Sequence, residues 1–243
     1  MTSIFTVSFP EQEEAIKTLL KESRERNGFY LLLGVATFVV TLGLLINSLE
    51  AIIGGALVAP LLYPILSLAL AVVTSSRLSL GRSLKLLGRA SAFVVIISAL
   101  SGFVFSAFTN PSTVILATMP SLPVFMIAFA SGLAVAYAWV KRDFSASLPG
   151  VAMTVSILPP LAGVGIGLVF FSYQIISQSI LLLIINWLGM TGAAIIVFSL
   201  FGFSPLQKVE EQKISEETGE SKIQKKAIAE AAAKRELELE AGE

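Results

Sequence analysis

The chain has 243 residues, 55% hydrophobic and 14% charged, whereas an ordinary soluble domain is about half apolar and about a quarter charged. It contains no Cys and no His, which excludes disulfides, thiolate zinc sites, thiol nucleophiles and imidazole acid–base chemistry. Its net charge is zero, and the charged residues are almost confined to the two ends and to stretches near residues 77–89 and 141–143. The composition indicates a membrane protein.

The first 28 residues predict a short amphipathic helix on the cytoplasmic side. Pro10 occupies a first-turn position, acidic residues precede basic ones, and Ile16, Leu19 and Leu20 form one apolar stripe. Such a helix either lies on the inner leaflet, which is the commoner arrangement, or packs against the spans.

Six apolar stretches are long enough to cross a hydrocarbon core of roughly 30 Å, which takes about 20 helical residues. They lack the polar face that a helix of a soluble protein needs. Lys and Arg occur in the N-terminal segment and in the second and fourth loops, but not in the other three loops, so the positive-inside rule predicts that both termini are cytoplasmic. The six stretches are roughly 29–46, 51–73, 90–108, 122–140, 148–171 and 178–202.

The segment after the last span predicts a charged, solvated helical tail. It is rich in Glu, Lys and Ala, and places acids and bases four residues apart, as in Glu230 and Lys234. Its heptads are irregular, so a coiled coil is the lesser alternative.

A weak internal repeat relates the two halves of the chain. A shift of 96 residues places the segment 54–71 on the segment 150–167, and relates span one to four and span three to six by hydropathy alone. Since each half holds three spans, the second half must enter the membrane inverted relative to the first. The identical pairs are Gly54/Gly150, Ala56/Ala152, Leu62/Leu158 and Pro64/Pro160.

The predicted fold is therefore an all-α integral membrane protein with six transmembrane helices in two inverted three-helix repeats. The predicted units are the N-terminal helix at 1–28, the first repeat at 29–108, the second repeat at 109–204 and the tail at 205–243.

Prolines interrupt the second and fifth spans at equivalent positions. A proline removes a backbone donor, and a broken membrane helix exposes carbonyls that can hold a cation and amides that can hold an anion. Interrupted helices in inverted halves are typical of transport sites. The candidate substrate-binding residues are Gly54, Gly55, Pro60, Pro64, Thr154, Ser156, Pro159, Pro160 and Asn186.

The alternative is that the prolines only kink their helices and that the small residues only pack them. Prolines are frequent in membrane helices and often produce nothing but a kink. Small residues four apart allow close helix packing, as in Gly55 with Ala59, Gly163 with Gly167, and Ala128, Gly132 and Ala136. The same ridges are compatible with a homo-oligomer.

The segment 42–71, "LGLLINSLEAIIGGALVAPLLYPILSLALA", resembles the hallmark segment of a prokaryotic membrane family, the domain of unknown function 389 family. The resemblance implies a multi-pass protein in the plasma membrane of a bacterium or archaeon, without a defined activity. Where the family commonly has Ala-Met after the glycine, this chain has Gly55, Ala56 and Leu57. The matching residues are Asn47, Ser48, Ile52, Ile53, Gly54, Gly55, Ala56, Pro60 and Pro64.

The leading functional hypothesis is a transporter of a small solute or ion, with its site where the two interrupted spans meet. Because no ionisable residue is buried in the spans, we do not expect a side-chain proton relay. Transport coupled to sodium bound at backbone carbonyls is compatible with this composition. The expected partners are the lipid bilayer and the solute, with no nucleic acid, metal or cofactor.

Two further hypotheses come from other classes. In an oligomeric channel, Asn47, Ser48 and Glu50 would form an outer gate, although a Glu in a short outer turn is ordinarily solvated and inert. In a membrane scaffold or sensor, the tail from residue 207 to 243 would recruit a partner. We do not expect an enzyme, because the sequence shows no catalytic cluster.

Overall fold

The structure, a computed structural model, describes residues 7–25, 27–106, 114, 120–141, 147–216 and 218–219, and their side chains except those of 27 and 147–153. The predicted end of span three at 107–108, the loop residues Arg142 and Asp143, and the Glu230–Lys234 pair lie outside this part of the chain. Within it, all regular structure is helical. The helices are α1 (Phe9–Glu22), α2 (Asn27–Leu45), α3 (Leu49–Val58), α4 (Leu62–Val73), α5 (Arg77–Phe105), α6 (Leu122–Val140), α7 (Ser147–Val169) and α8 (Tyr173–Leu200), followed by a 3₁₀ turn at Ser204–Leu206 and α9 at 207–216.

Four of these helices, α2, α5, α6 and α8, are long and apolar enough to cross a membrane. The pair α3 and α4 is apolar enough to form a fifth crossing, but is bent by 62° between its two helices. The all-helical membrane class is thus confirmed with four or five candidate spans among the described residues. The six-span inverted repeat stays a prediction.

The predicted interruption of the second span is confirmed, and Pro60 explains where it falls. Pro60 has no N–H, so the Ala56 carbonyl loses its helical donor four residues on. The Ala59 N–H takes that carbonyl instead, at 3.3 Å, and closes a tighter turn that ends α3. Pro64 is the third residue of α4, where a helix leaves its N–H groups unbonded in any case.

The predicted interruption of the fifth span is wrong. Helix α7 runs without a break from Ser147 to Val169, with Pro159 and Pro160 in its interior. Pro160 leaves the Ser156 carbonyl without its helical donor, and the Asn186 side chain of α8 supplies a replacement: its Nδ2 donates to that carbonyl at 2.6 Å. A donor from a neighbouring helix therefore keeps α7 continuous.

Close helix packing is confirmed at two of the predicted small residues. A Cβ added to Gly55 would lie 2.9 Å from the Ala36 carbonyl of α2, and one added to Gly132 would lie 2.6 Å from the Met190 carbonyl of α8. Both glycines therefore allow two helix backbones to touch, as small residues do in membrane bundles.

The N-terminal helix α1 packs against the protein rather than lying free on a surface. The Ser8 N–H donates to the Glu11 carboxylate at 2.7 Å and caps the helix start. Ile16 and Leu20 are fully buried in the core. Gln12 donates through Nε2 to the Phe201 carbonyl at 2.7 Å, which ties α1 to the end of α8.

The start of the tail also packs against the bundle, in contrast to the predicted solvated helix. Leu206 of the 3₁₀ turn is buried, as are Glu210 and Ile214, which lie four residues apart on one face of α9. Lys213 forms an ion pair with Glu13 of α1 at 3.1 Å. The two ends of the described chain therefore contact each other.

Candidate functional site

A cavity of about 590 Å³ lies between five helices, α2, α3, α6, α7 and α8. It begins beside Asn47, which is exposed in the turn after α2. It reaches Asn186, which lies 13 residues into α8, or about 20 Å from its start at 1.5 Å per residue. The lining residues are Leu44, Asn47, Leu49, Ile52, Val124, Ile127, Val155, Ser156, Pro159, Pro160, Leu182 and Asn186.

Asn186 is the buried polar residue of this cavity. Its amide nitrogen is committed to the Ser156 carbonyl, while its amide oxygen Oδ1 is buried without a hydrogen-bond partner. A buried acceptor without a partner costs roughly 1–3 kcal/mol, and native proteins satisfy nearly all such groups. The oxygen is therefore a ready acceptor for a bound molecule or ion.

The adjacent turn of α7 adds main-chain acceptor capacity. Pro159 has no N–H, so the Val155 carbonyl has no backbone donor four residues on. Val155 and Pro159 both line the cavity. Because none of the lining residues is ionisable, the cavity offers amide and carbonyl oxygens in an apolar wall.

The structure brings five of the sequence-predicted site residues into this one cavity: Asn47, Ser156, Pro159, Pro160 and Asn186. The first was predicted as a gate residue and the others as binding residues. Thr154, which precedes the lining residue Val155 on α7, is buried but does not line it.

The predicted binding residues of the second span lie elsewhere. Gly55 is a packing residue against α2, and Gly54 is exposed with open space around its Cα. Pro60 and Pro64 shape the bend between α3 and α4 and do not line the cavity. The prolines of α7 therefore line the cavity, whereas those of the α3–α4 segment do not.

Ser48 and Glu50, the other predicted gate residues, cap α3. Ser48 Oγ accepts from the Ala51 N–H at 3.3 Å and donates to the Glu50 carboxylate at 2.9 Å, and Asn47 adopts a left-handed φ of 55°. These groups form an ordinary helix start, with Glu50 exposed.

Sequence reasoning missed the apolar wall of the cavity. Leu44, Ile52 and Leu182 are of residue types that also face lipid. The sequence pattern therefore does not distinguish a cavity wall from a lipid-facing surface. The sequence did contain a signal for the bond between Asn186 and Ser156. A proline at position 160 of a helix leaves the carbonyl at position 156 without its helical donor, so a donor from elsewhere is expected.

The helices and the apolar cavity between them define a multi-pass α-helical membrane protein. The sequence matches the profile of the family described as "Domain of unknown function (DUF389)" over residues 56–192. This is more than half of the chain, and the protein belongs to that family.

The chain is similar to the uncharacterized protein MJ0678 of Methanocaldococcus jannaschii, with 30% identity over 177 residues. The alignment covers 72% of this chain and 54% of that protein, so the chain spans about half the length of this relative. No solved structure matches.

Proposed function

We propose that this protein moves a small solute or ion across the membrane and that the cavity around Asn186 is its binding site. The observation that carries the proposal is the buried Asn186 oxygen, which lies in a cavity large enough for a small molecule and has no partner within the protein. Ligand sites are mostly apolar cavities with a few placed polar groups, and this cavity fits that description.

The chemistry of the lining favours a solute that donates hydrogen bonds or a small cation. The polar groups offered are the Asn186 amide oxygen and the α7 main chain next to Pro159. Oxygens of this kind suit a hydroxyl, an amine or a sodium ion, whereas an anion would find no Lys or Arg in the lining.

The proposal includes six spans with both termini on the cytoplasmic side. Helix α7 has 23 residues, which is about 35 Å of helix and enough to cross the hydrocarbon core. With α7 as a further crossing, the turn at Asn47 faces outward and the cavity opens to the exterior. Because α7 is continuous, the bend at Pro60 is the hinge that alternating access would use.

The experiment compares transport by variants that separate the two roles of Asn186. The replacement Asn186→Leu removes the amide oxygen, but it also removes the hydrogen bond that Asn186 donates to the Ser156 carbonyl. The double variant Pro160→Ala with Asn186→Leu restores a backbone N–H for that carbonyl, so it removes the polar group from the cavity while α7 keeps its hydrogen bonds.

Purified protein in liposomes is tested by osmotic swelling with glycerol and by uptake of radioactive sodium. We expect wild-type flux of at least one probe, retained flux in Pro160→Ala, and loss of at least tenfold in the double variant. Thr37→Val is the matched control, since the Thr37 hydroxyl donates to the Leu33 carbonyl of its own helix and lies outside the cavity. Unchanged flux in a folded double variant would reject the site.

A further inference from the structure

A second cavity, of about 610 Å³, lies between the α1–α2 connection and the first half of α5. It adjoins the start of α2, whereas the cavity around Asn186 adjoins its end. We call it the basic cavity, because its charged lining residues are Arg24, Arg77, Arg82, Lys85, Arg89 and one acid, Glu25.

These charges give the lining of the basic cavity a formal charge of +4, five cations less one acid. Two of the cations are held in place: Arg89 pairs with Glu25 at 3.1 Å, and Arg82 Nη2 donates to the Leu20 carbonyl at 3.3 Å. Cations gathered in a concave surface focus the field and concentrate anions.

Gly81 leaves the space that a ligand would occupy. Arg77, Gly81 and Lys85 are spaced four residues apart and so share one face of α5. A Cβ added to Gly81 would meet no atom within 4 Å. The missing side chain therefore keeps the surface between two long basic side chains open.

Helix α5 is long enough to carry the basic cavity beyond the hydrocarbon core. Helix α5 has 29 residues, or about 43 Å, which exceeds a hydrocarbon core of roughly 30 Å. All its charged residues fall between Arg77 and Arg89, and the rest of the helix is uncharged. The charged part therefore projects into the interface, and the exposed Leu78 beside the cavity suits contact with acyl chains.

We propose that the basic cavity binds the phosphate group of an anionic phospholipid. Arginines bind phosphate oxygens through paired N–H groups, and each Lys or Arg near an anionic surface contributes about 1 kcal/mol to binding. A free phosphate offers the same oxygens, but the acyl contact at Leu78 and the interfacial position favour the lipid.

The test measures thermal unfolding of the detergent-purified protein against added dioleoylphosphatidylglycerol, dioleoylphosphatidylcholine or inorganic phosphate. A ligand that binds the folded state raises the unfolding midpoint by mass action. We expect phosphatidylglycerol to raise it more than the other two. The apparent affinity should fall about tenfold in Gly81→Leu, which fills the cavity without changing charge, and in Arg77→Gln with Lys85→Gln.

Matched controls separate the cavity from general charge and helix effects. Gly88→Leu adds the same side chain to the same helix at another open position outside the cavity. Lys17→Gln with Lys208→Gln removes two exposed cations elsewhere. Both should bind like wild type. The proposal fails if these controls weaken lipid binding as much as the cavity variants do, if phosphatidylglycerol stabilises no more than phosphatidylcholine, or if inorganic phosphate alone reproduces the whole effect.

Discussion

The α3–α4 segment carries Pro60 and Pro64, and α7 carries Pro159 and Pro160 in its interior, yet the first is bent by 62° and the second is continuous. In the first, the carbonyl freed by Pro60 is taken by the nearby Ala59 N–H, and the helix ends. In the second, the carbonyl freed by Pro160 is taken by Asn186 of another helix, and the helix continues. Whether a membrane proline breaks a helix thus depends on where the replacement donor comes from.

The two segments also differ in what holds them. The α7 proline turn is supported inside the bundle by Asn186. The α4 helix is held at both ends from outside: Ser23 of the α1–α2 connection donates to the Tyr63 carbonyl at 3.1 Å, and Thr74 at the end of α4 donates to Glu210 of the tail helix α9.

The largest expected effect is on α7. Asn186→Leu should lower the free energy of unfolding by roughly 2 kcal/mol, because the partly buried Ser156 carbonyl loses the hydrogen bond that Asn186 donates. Adding Pro160→Ala to this variant should recover most of the loss, whereas Pro160→Ala alone should change stability little. Thermal unfolding in detergent measures this cycle, and simple additivity of the two changes would contradict the exchange of donors.

The next effect concerns Glu210, which is fully buried. Burial raises the pKa of its carboxyl group; Ser79 and Thr74 oppose this shift, Glu211 adds to it and Arg82 opposes it. The folded protein therefore binds this proton more tightly than the unfolded chain does. The contribution of Glu210 to stability is fully present below the ordinary glutamate pKa and is lost as pH rises through the raised pKa.

Glu210→Gln should accordingly raise stability by about 1 kcal/mol at neutral pH, because Gln accepts the same bond from Thr74 without a buried charge. In the Glu210→Gln variant, the unfolding midpoints at pH 4 and pH 8 should differ from each other less than they do in the wild type. Glu216→Gln, at an exposed position of the same helix that does not contribute to the Glu210 shift, is the matched control. If the wild type gained stability over this rise in pH and the Gln variant did not, the sign would be reversed.

A smaller effect is expected at the other end of α4. Ser23→Ala removes the hydroxyl that donates to Tyr63 and to the Leu19 carbonyl, which should cost about 1 kcal/mol. Ser91→Ala on α5, where the side chain is partly exposed, is the comparison. Equal stability of both variants would show that α1 does not hold the bend.

The smallest backbone effect is expected at Pro64. Its position in the first turn of α4 requires no N–H, so Pro64→Ala should leave the helix content by circular dichroism unchanged. Pro60→Ala supplies an N–H four residues after Ala56, so the Ala56 carbonyl can accept a regular helical bond in place of the Ala59 one, and the helix content should rise by a few residues. If the helix content rose in Pro64→Ala and stayed unchanged in Pro60→Ala, Pro60 would not be the cause of the bend.

The sequence was sufficient to predict the membrane class, the interrupted second span and the N-terminal helix, since these depend on local hydropathy, charge and proline position. The continuity of α7 was not predictable in this way, because it depends on Asn186, 26 residues after Pro160. Of the candidate site, Ser156 and Asn186 were found as rare polar residues in apolar spans, whereas Gly54, chosen by repeat position, and Gly55 beside it lie elsewhere.

The tail illustrates a second limit. Its composition predicts a solvated helix, whereas in the described part of the tail Leu206 and Ile214 flank Glu210 on a buried face. Burial of a carboxylate contradicts its usual preference for water. The hydrogen bond that Thr74 donates to this carboxyl group joins residues 136 positions apart, so the local sequence of the tail does not predict it.

The contacts between the two ends of the chain have a mechanical consequence. The Gln12–Phe201 bond and the Lys213–Glu13 ion pair join the N-terminal helix to the last span and to the helix after it. Any rearrangement that parts the bundle at this end must first undo them, while the end beside Asn47 already has a cavity between its helices. The helices are thus cross-linked at this end and separated by a cavity at the other, so we expect any opening of the bundle to begin at the cavity end.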